Sequence, residues 1–153
     1  KNFITLQPTN LYGEGDNFNL KSSHVIPALI KKFHIAKIKS HTSVEVWGSG
    51  NVKREFLNVD DLASAVKFVI NKKINKPYIN VGSKDYLKIR DLVKIIKSIT
   101  GYKGQVFYNK LYPDGVKKRK LDTKVLDNLG WKAKIKIKNG LREYYNYFLN
   151  SGL

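Results

Sequence analysis

The sequence predicts an α/β fold with some parallel strand pairing, and three observations carry that prediction. Short apolar runs of strand character alternate with longer segments of helical spacing along most of the chain. Clusters of Gly, Pro, Asn and Asp separate them as turns. A hydrophobic fraction of 42% and an aromatic fraction of 12% over 153 residues suffice for a packed core rather than a disordered chain.

Phe3 to Leu6 is the first strand candidate, ending at Pro8, and Leu11 to Ser23, rich in Gly, Asn, Asp and Ser, reads as a loop. Val25, Ile26, Leu29, Ile30 and Phe33 then recur at helical spacing with Lys31 and Lys32 between them. Pro27 falls in the first turn, where a missing N–H is tolerated. Val44 to Trp47 alternates as a strand does, Gly48 to Asn51 is a turn, and Glu55 to Val59 is a further strand candidate. Asp60 reads as the cap of a helix through about Ile70, with Leu62, Ala65, Val66 and Val69 as its apolar stripe. Tyr78 to Val81 reads as a buried strand closed by Gly82. The following helix buries Ile89, Leu92, Val93, Ile96 and Ile99 and stops at the C-cap Gly101. Gln105 to Tyr108 is a strand before the turn Tyr112-Pro113-Asp114-Gly115. A short helix over Thr123 to Leu129 and a final one from about Asn139 to Leu149 complete the chain.

Composition narrows the function classes. Without cysteine the chain can form neither a disulfide framework nor a thiolate metal site, and no apolar run approaches the ~20 residues of a membrane helix. A cytoplasmic protein without a membrane partner is expected. The net charge of +17 raises nucleic acid as a partner. However, only four of the 29 basic residues are arginine, namely Arg54, Arg90, Arg119 and Arg142, and the lysines are spread along the chain. Phosphate and base recognition leans on arginine's planar fork, so the bias reads as compositional and no nucleic-acid partner is expected. What survives is a positive field that attracts a diphosphate-bearing substrate. Asp60 and Asp61 are adjacent at a helix start, where capping explains them better than a metal site or a carboxylate pair; no metal is expected.

Several segments, in order, resemble the GDP-L-fucose synthase family of extended short-chain dehydrogenases/reductases. They are Pro8-Thr9-Asn10-Leu11-Tyr12-Gly13, Asp16-Asn17, Ser23-His24-Val25-Ile26-Pro27-Ala28-Leu29, Val46-Trp47-Gly48-Ser49-Gly50, Arg54-Glu55-Phe56-Leu57, Val59-Asp60-Asp61-Leu62-Ala63, Ile79-Asn80-Val81-Gly82, Pro113-Asp114-Gly115 and Leu129-Gly130-Trp131. The Arg-Glu-Phe and Val-Asp-Asp-Leu elements mark only the superfamily. The Asn-Leu-Tyr-Gly and Ser-His-Val-Ile-Pro-Ala-Leu elements are more specific. Three features of the family have no counterpart: a glycine-rich dinucleotide fingerprint, a Tyr-x-x-x-Lys pair (none of the nine tyrosines has lysine four residues on) and a catalytic cysteine. The resemblance therefore implies the C-terminal portion of a Rossmann-like NAD(P)-binding fold plus a smaller α/β substrate-binding lobe, inactive by itself, with the N-terminal cofactor-binding half missing. Residues 1–12 and 55–82 would form the last Rossmann-like elements, and residues 13–54 and 83–153 the substrate lobe. Without the other half, a bare sheet edge and apolar face would favour aggregation.

The implied activity is NADP-dependent conversion of GDP-4-keto-6-deoxy-D-mannose to GDP-L-fucose, with a homodimer formed through the missing half. His24 would return protons at the epimerised carbons, a task suited to histidine; as a bare residue it is an ordinary one at a loop-to-helix junction. Pro8, Thr9, Asn10, Leu11 and His24 would lie against NADP, although a proline turn after a strand explains the first four equally well. Lys32, Trp47, Arg54, Asp114 and Arg119 would hold the GDP-sugar. Arg54 is the strongest diphosphate donor, and lysine at position 32 replaces the family's arginine, keeping charge without the fork. Trp47 could be a flat wall or simply core, Asp114 an acceptor or a turn former, and Arg119 a ligand or a solvated cation. His34 and His41 read as surface residues. Two alternatives stay open: another extended nucleotide-sugar epimerase or dehydratase, and a non-catalytic basic binding lobe.

Overall fold

The computed structural model describes residues 3–116 and 120–152. In chain order the elements are β1 (Thr5–Pro8), β2 (Asn10–Tyr12), α1 (Val25–Ile38), β3 (Ser43–Trp47), β4 (Lys53–Asn58), α2 (Val59–Ile70), β5 (Tyr78–Val81), β6 (Tyr86–Lys88), α3 (Ile89–Thr100), β7 (Gln105–Asn109), α4 (Lys124–Asn128) and α5 (Ile137–Asn150). The fold is α/β. β1 pairs in parallel with β5, β2 with β4 and β3 with β7, while β6 runs antiparallel to β4. No helix among the described residues is long and apolar enough to cross a membrane.

β4 divides two apolar cores. Successive strand residues face opposite sides, so Phe56 packs with Phe33, Leu92, Ile96 and Leu141 of α1, α3 and α5, whereas Leu57 packs with Ala65, Val69, Ile79 and Val81 of α2 and β5. Each large apolar side chain so buried contributes about 1.5–3 kcal/mol. Leu126 of α4 and Trp131 join the second core. α3 stops where Gly101 adopts a left-handed conformation, φ 72°, a region glycine enters without a Cβ clash.

Four local readings change. β2 overlaps the start of the expected 11–23 loop, because Asn10 to Tyr12 find open backbone partners in Phe56 to Asn58. β6, too short to show periodicity, forms against the outer edge of β4. The cap of α2 is Asn58, whose side-chain oxygen accepts from the Asp60 N–H at 2.8 Å. Asp60 sits in the first turn, and the buried Asp61 carboxylate accepts the Lys134 and Ile135 N–H groups, both at 2.9 Å. His34 is half-buried rather than on the surface: its Nδ1 is 2.9 Å from the Tyr145 hydroxyl, and its ring meets Phe148 edge-on. His41 is exposed.

Candidate functional site

The first cavity opens where the chain passes from β1 to β2. Thr9 continues the β1 ladder through its N–H to the Val81 carbonyl at 3.0 Å. Its hydroxyl and the Asn10 amide both donate to the Glu55 carbonyl, at 3.1 and 2.8 Å, which ties this crossing to β4. Ligand clefts of parallel sheets form at such carboxyl ends. A cavity of about 690 Å³ lies here, walled by Pro8, Thr9, Asn10, Leu11, His24 and Val59 among others. His24 is the N-cap of α1 with no side-chain capping bond, and its imidazole is exposed. The five residues expected along the cofactor thus share one wall.

A second cavity, about 350 Å³, adjoins the first through Asn10 and Val25, which line both. Lys32, Trp47, Arg54 and Asp114 meet in its lining. Strand alternation places Trp47 there: Val44 and Val46 of β3 point into the core, so Trp47 lies on the outer face and is 54% exposed. Trp47 is therefore not a core residue. It stacks on Tyr112, with ring centroids 4.4 Å apart and planes at 13°, and Lys32 Nζ lies 4.8 Å from its ring centroid. Lys32 Nζ also donates to the Glu45 carbonyl at 3.2 Å, and burial lowers its pKa from the ordinary lysine value.

Arg54 is half-buried and donates through Nη1 to the carbonyls of Lys53 and Val116, at 2.8 and 2.6 Å. Asp114 accepts from the Ser49 N–H and hydroxyl, both at 2.7 Å, and these bonds hold its carboxyl below the usual aspartate value. Gly48, at φ 82°, is required by the same contact, since a Cβ there would lie 2.6 Å from Asp114 Oδ1. Asp114 thus binds its own turn to the β3–β4 turn. Arg119 lies outside the described residues. Tyr112 and Glu45 are the neighbours that sequence reasoning passed over; an aromatic beside Pro113-Asp114-Gly115 was the available signal. Among the described residues no cluster of three or more His, Cys, Asp or Glu is placed to hold a metal.

Chemically, the pair of cavities can hold an anion beside Lys32 and Arg54, a flat group beside Trp47, and a proton donor or acceptor at the His24 imidazole. The chain is 40% identical over 160 residues to GDP-L-fucose synthase of Escherichia coli (strain K12), covering 99% of this chain and 50% of that protein. It is 39% identical over 149 residues to GDP-L-colitose synthase of Yersinia pseudotuberculosis, covering 97% and 48%. A crystal structure of a GDP-L-fucose synthetase from Naegleria fowleri bound to NADP superposes with a TM-score of 0.88 at 26% identity, covering 98% of this chain and 46% of that one. The chain spans about half the length of the curated relatives it matches. Residues 1–82 match the profile of the NAD dependent epimerase/dehydratase family, and the chain belongs to that family.

Proposed function

We propose that this chain supplies the nucleotide-sugar site and one acid/base group of an NADP-dependent epimerase/reductase that converts GDP-4-keto-6-deoxy-D-mannose to GDP-L-fucose. The observation that carries the reading is the adjacency of the two cavities. His24 and the Pro8–Leu11 wall line one, Lys32, Trp47, Arg54 and Asp114 line the other, and Asn10 and Val25 belong to both. In this reading residues 1–12 and 55–82 serve the cofactor side and residues 13–54 and 83–153 the substrate side, with Leu126 and Trp131 reaching across to pack in the core of α2 and β5.

The first cavity suits a flat, amide-bearing ring, since apolar Pro8, Leu11 and Val59 alternate there with polar Thr9, Asn10 and His24. NADPH, when bound, supplies the hydride that reduces the C4 ketone. The residues of this chain bind and orient the sugar and move protons. Arg54 and Lys32 hold the diphosphate through charge-assisted N–H donors. His24 returns a proton to the enolate carbon formed next to the C4 ketone, a role an imidazole fills as general acid or base. The reaction belongs in the cytoplasm, and the homodimer contacts lie on parts of the enzyme outside this chain.

The test uses the protein as its host makes it, given GDP-4-keto-6-deoxy-D-mannose in deuterated water with NADPH. The expected result is consumption of NADPH with deuterium at C3 and C5, and loss of both label and turnover in His24→Gln. Undiminished exchange in that variant removes His24 from the chemistry. The 39% identity to GDP-L-colitose synthase favours a second reading, a different GDP-keto-sugar in the same site; turnover of such a sugar in preference to the first selects it.

A further inference from the structure

Trp47 is an exposed indole on a strand face, free in principle to rotate about both side-chain torsions. Two neighbours hold it. Its Nε1 donates to Glu45 Oε2 at 3.2 Å, and Glu45 Oε1 in turn accepts from the Asn109 amide at 2.6 Å. Glu45 and Trp47 stand two residues apart on the same face of β3, and Asn109 is the register partner of Trp47 on β7. Tyr112 provides the second restraint, lying nearly parallel to the indole at 4.4 Å while itself 40% exposed. Tyr112 is carried by the turn that Asp114 fastens to Ser49 and Arg54 fastens through Val116. Only Trp47 of the stacked pair lines the second cavity.

We infer that Tyr112 and Glu45 are positioning residues that fix the plane of Trp47 as the flat wall of the nucleotide-sugar cavity. This rests on the proposed function, because it takes the second cavity as the GDP-sugar site. The physical effect is preorganisation: a side chain already immobilised is not ordered again when ligand arrives. Loss of the stacked ring is therefore expected to weaken GDP-sugar binding about 2- to 10-fold. The effect runs through Trp47 and not through a contact of Tyr112 with ligand.

GDP-mannose is the probe, titrated calorimetrically into the protein as its host makes it, with Trp47→Ala, Tyr112→Ala, Tyr112→Phe and the double alanine variant alongside. The expected pattern is weaker binding in Trp47→Ala, a 2- to 10-fold loss (about one order at most) in Tyr112→Ala, and recovery in Tyr112→Phe, which keeps the stacking ring. In the Trp47→Ala background, Tyr112→Ala adds nothing. Tyr112→Ala also increases acrylamide quenching of Trp47, while the buried Trp131 supplies a constant background. Full affinity in Tyr112→Ala with reduced affinity in Trp47→Ala overturns this inference and leaves the proposed function standing. Full affinity in Trp47→Ala overturns the assignment of this cavity and the inference with it. Additive losses in the double variant, or equal losses in Tyr112→Ala and Tyr112→Phe, overturn the positioning role.

Discussion

Replacing Asp61 by alanine tests how α2 holds the segment between α4 and α5. Asp61 is 3% exposed, and its two carboxylate oxygens each accept one backbone N–H, from Lys134 and Ile135 at 2.9 Å. Hydrogen bonds to an ionised group contribute roughly 1.5–3 kcal/mol each. Lys134 is exposed, so water recovers part of that loss at one of the two donors. The expected destabilisation is about 3 kcal/mol, and near 2–4 °C per kcal/mol for a domain of this size it lowers Tm by roughly 6–12 °C. Asp61→Asn keeps one acceptor oxygen and loses about half as much. Asp60→Ala, which removes only a first-turn charge, costs about 1 kcal/mol or less. Thermal denaturation of the full protein measures the totals, and amide hydrogen exchange at Lys134 and Ile135 reports the local release. Equal effects of Asp60→Ala and Asp61→Ala, with both amides still protected, would refute the clamp.

Burial and the nearby Lys37 hold the His34 imidazole below its ordinary 6.5. Because the folded pKa is depressed, His34 contributes stability that is complete above 6.5 and lost as pH falls through the folded value. Denaturant midpoints taken at about pH 7.5 and about pH 5.5 are therefore expected to differ less in His34→Phe than in the unsubstituted protein. Asp114 is likewise depressed, by its bonds to Ser49. The tie between their two turns, read by exchange of the Ser49 amide, is expected to hold across neutral pH and loosen only below 3.8. Arg54→Ala removes charge-assisted donors facing the proposed diphosphate, and GDP-mannose affinity measured calorimetrically is expected to fall about 10- to 100-fold. Gly140→Ala places a methyl group against the buried Tyr12 hydroxyl and 3.0 Å from Ile135 Cγ2. Overpacking then outweighs the helix-propensity gain of about 1 kcal/mol, and a net loss of about 1–2 kcal/mol in denaturant titration is expected.

Periodicity by itself determined α1, α3 and α5 and the strands β3, β5 and β7, because each carries a local apolar repeat that burial rewards only in one geometry. The alternation of those elements determined the α/β class, and short ordered motifs pointed to the residues that line the two cavities. β2 and β6 were not legible: three-residue strands have no period, and both form because β4 offers open backbone edges from elsewhere in the chain. Asp61 read as a helix-start residue, since its partners lie more than 70 positions away. Trp47 read equally as core or wall until β3 was registered against β7, which turned Val44 and Val46 inward and left the indole outside. The stacked Tyr112 and the Glu45 bond arise only once the turn at Asp114 is fastened to Ser49, a contact spanning 65 residues. Local propensity is written in neighbouring side chains, whereas these placements depend on which distant backbone and carboxylate groups the folded chain brings within hydrogen-bonding reach.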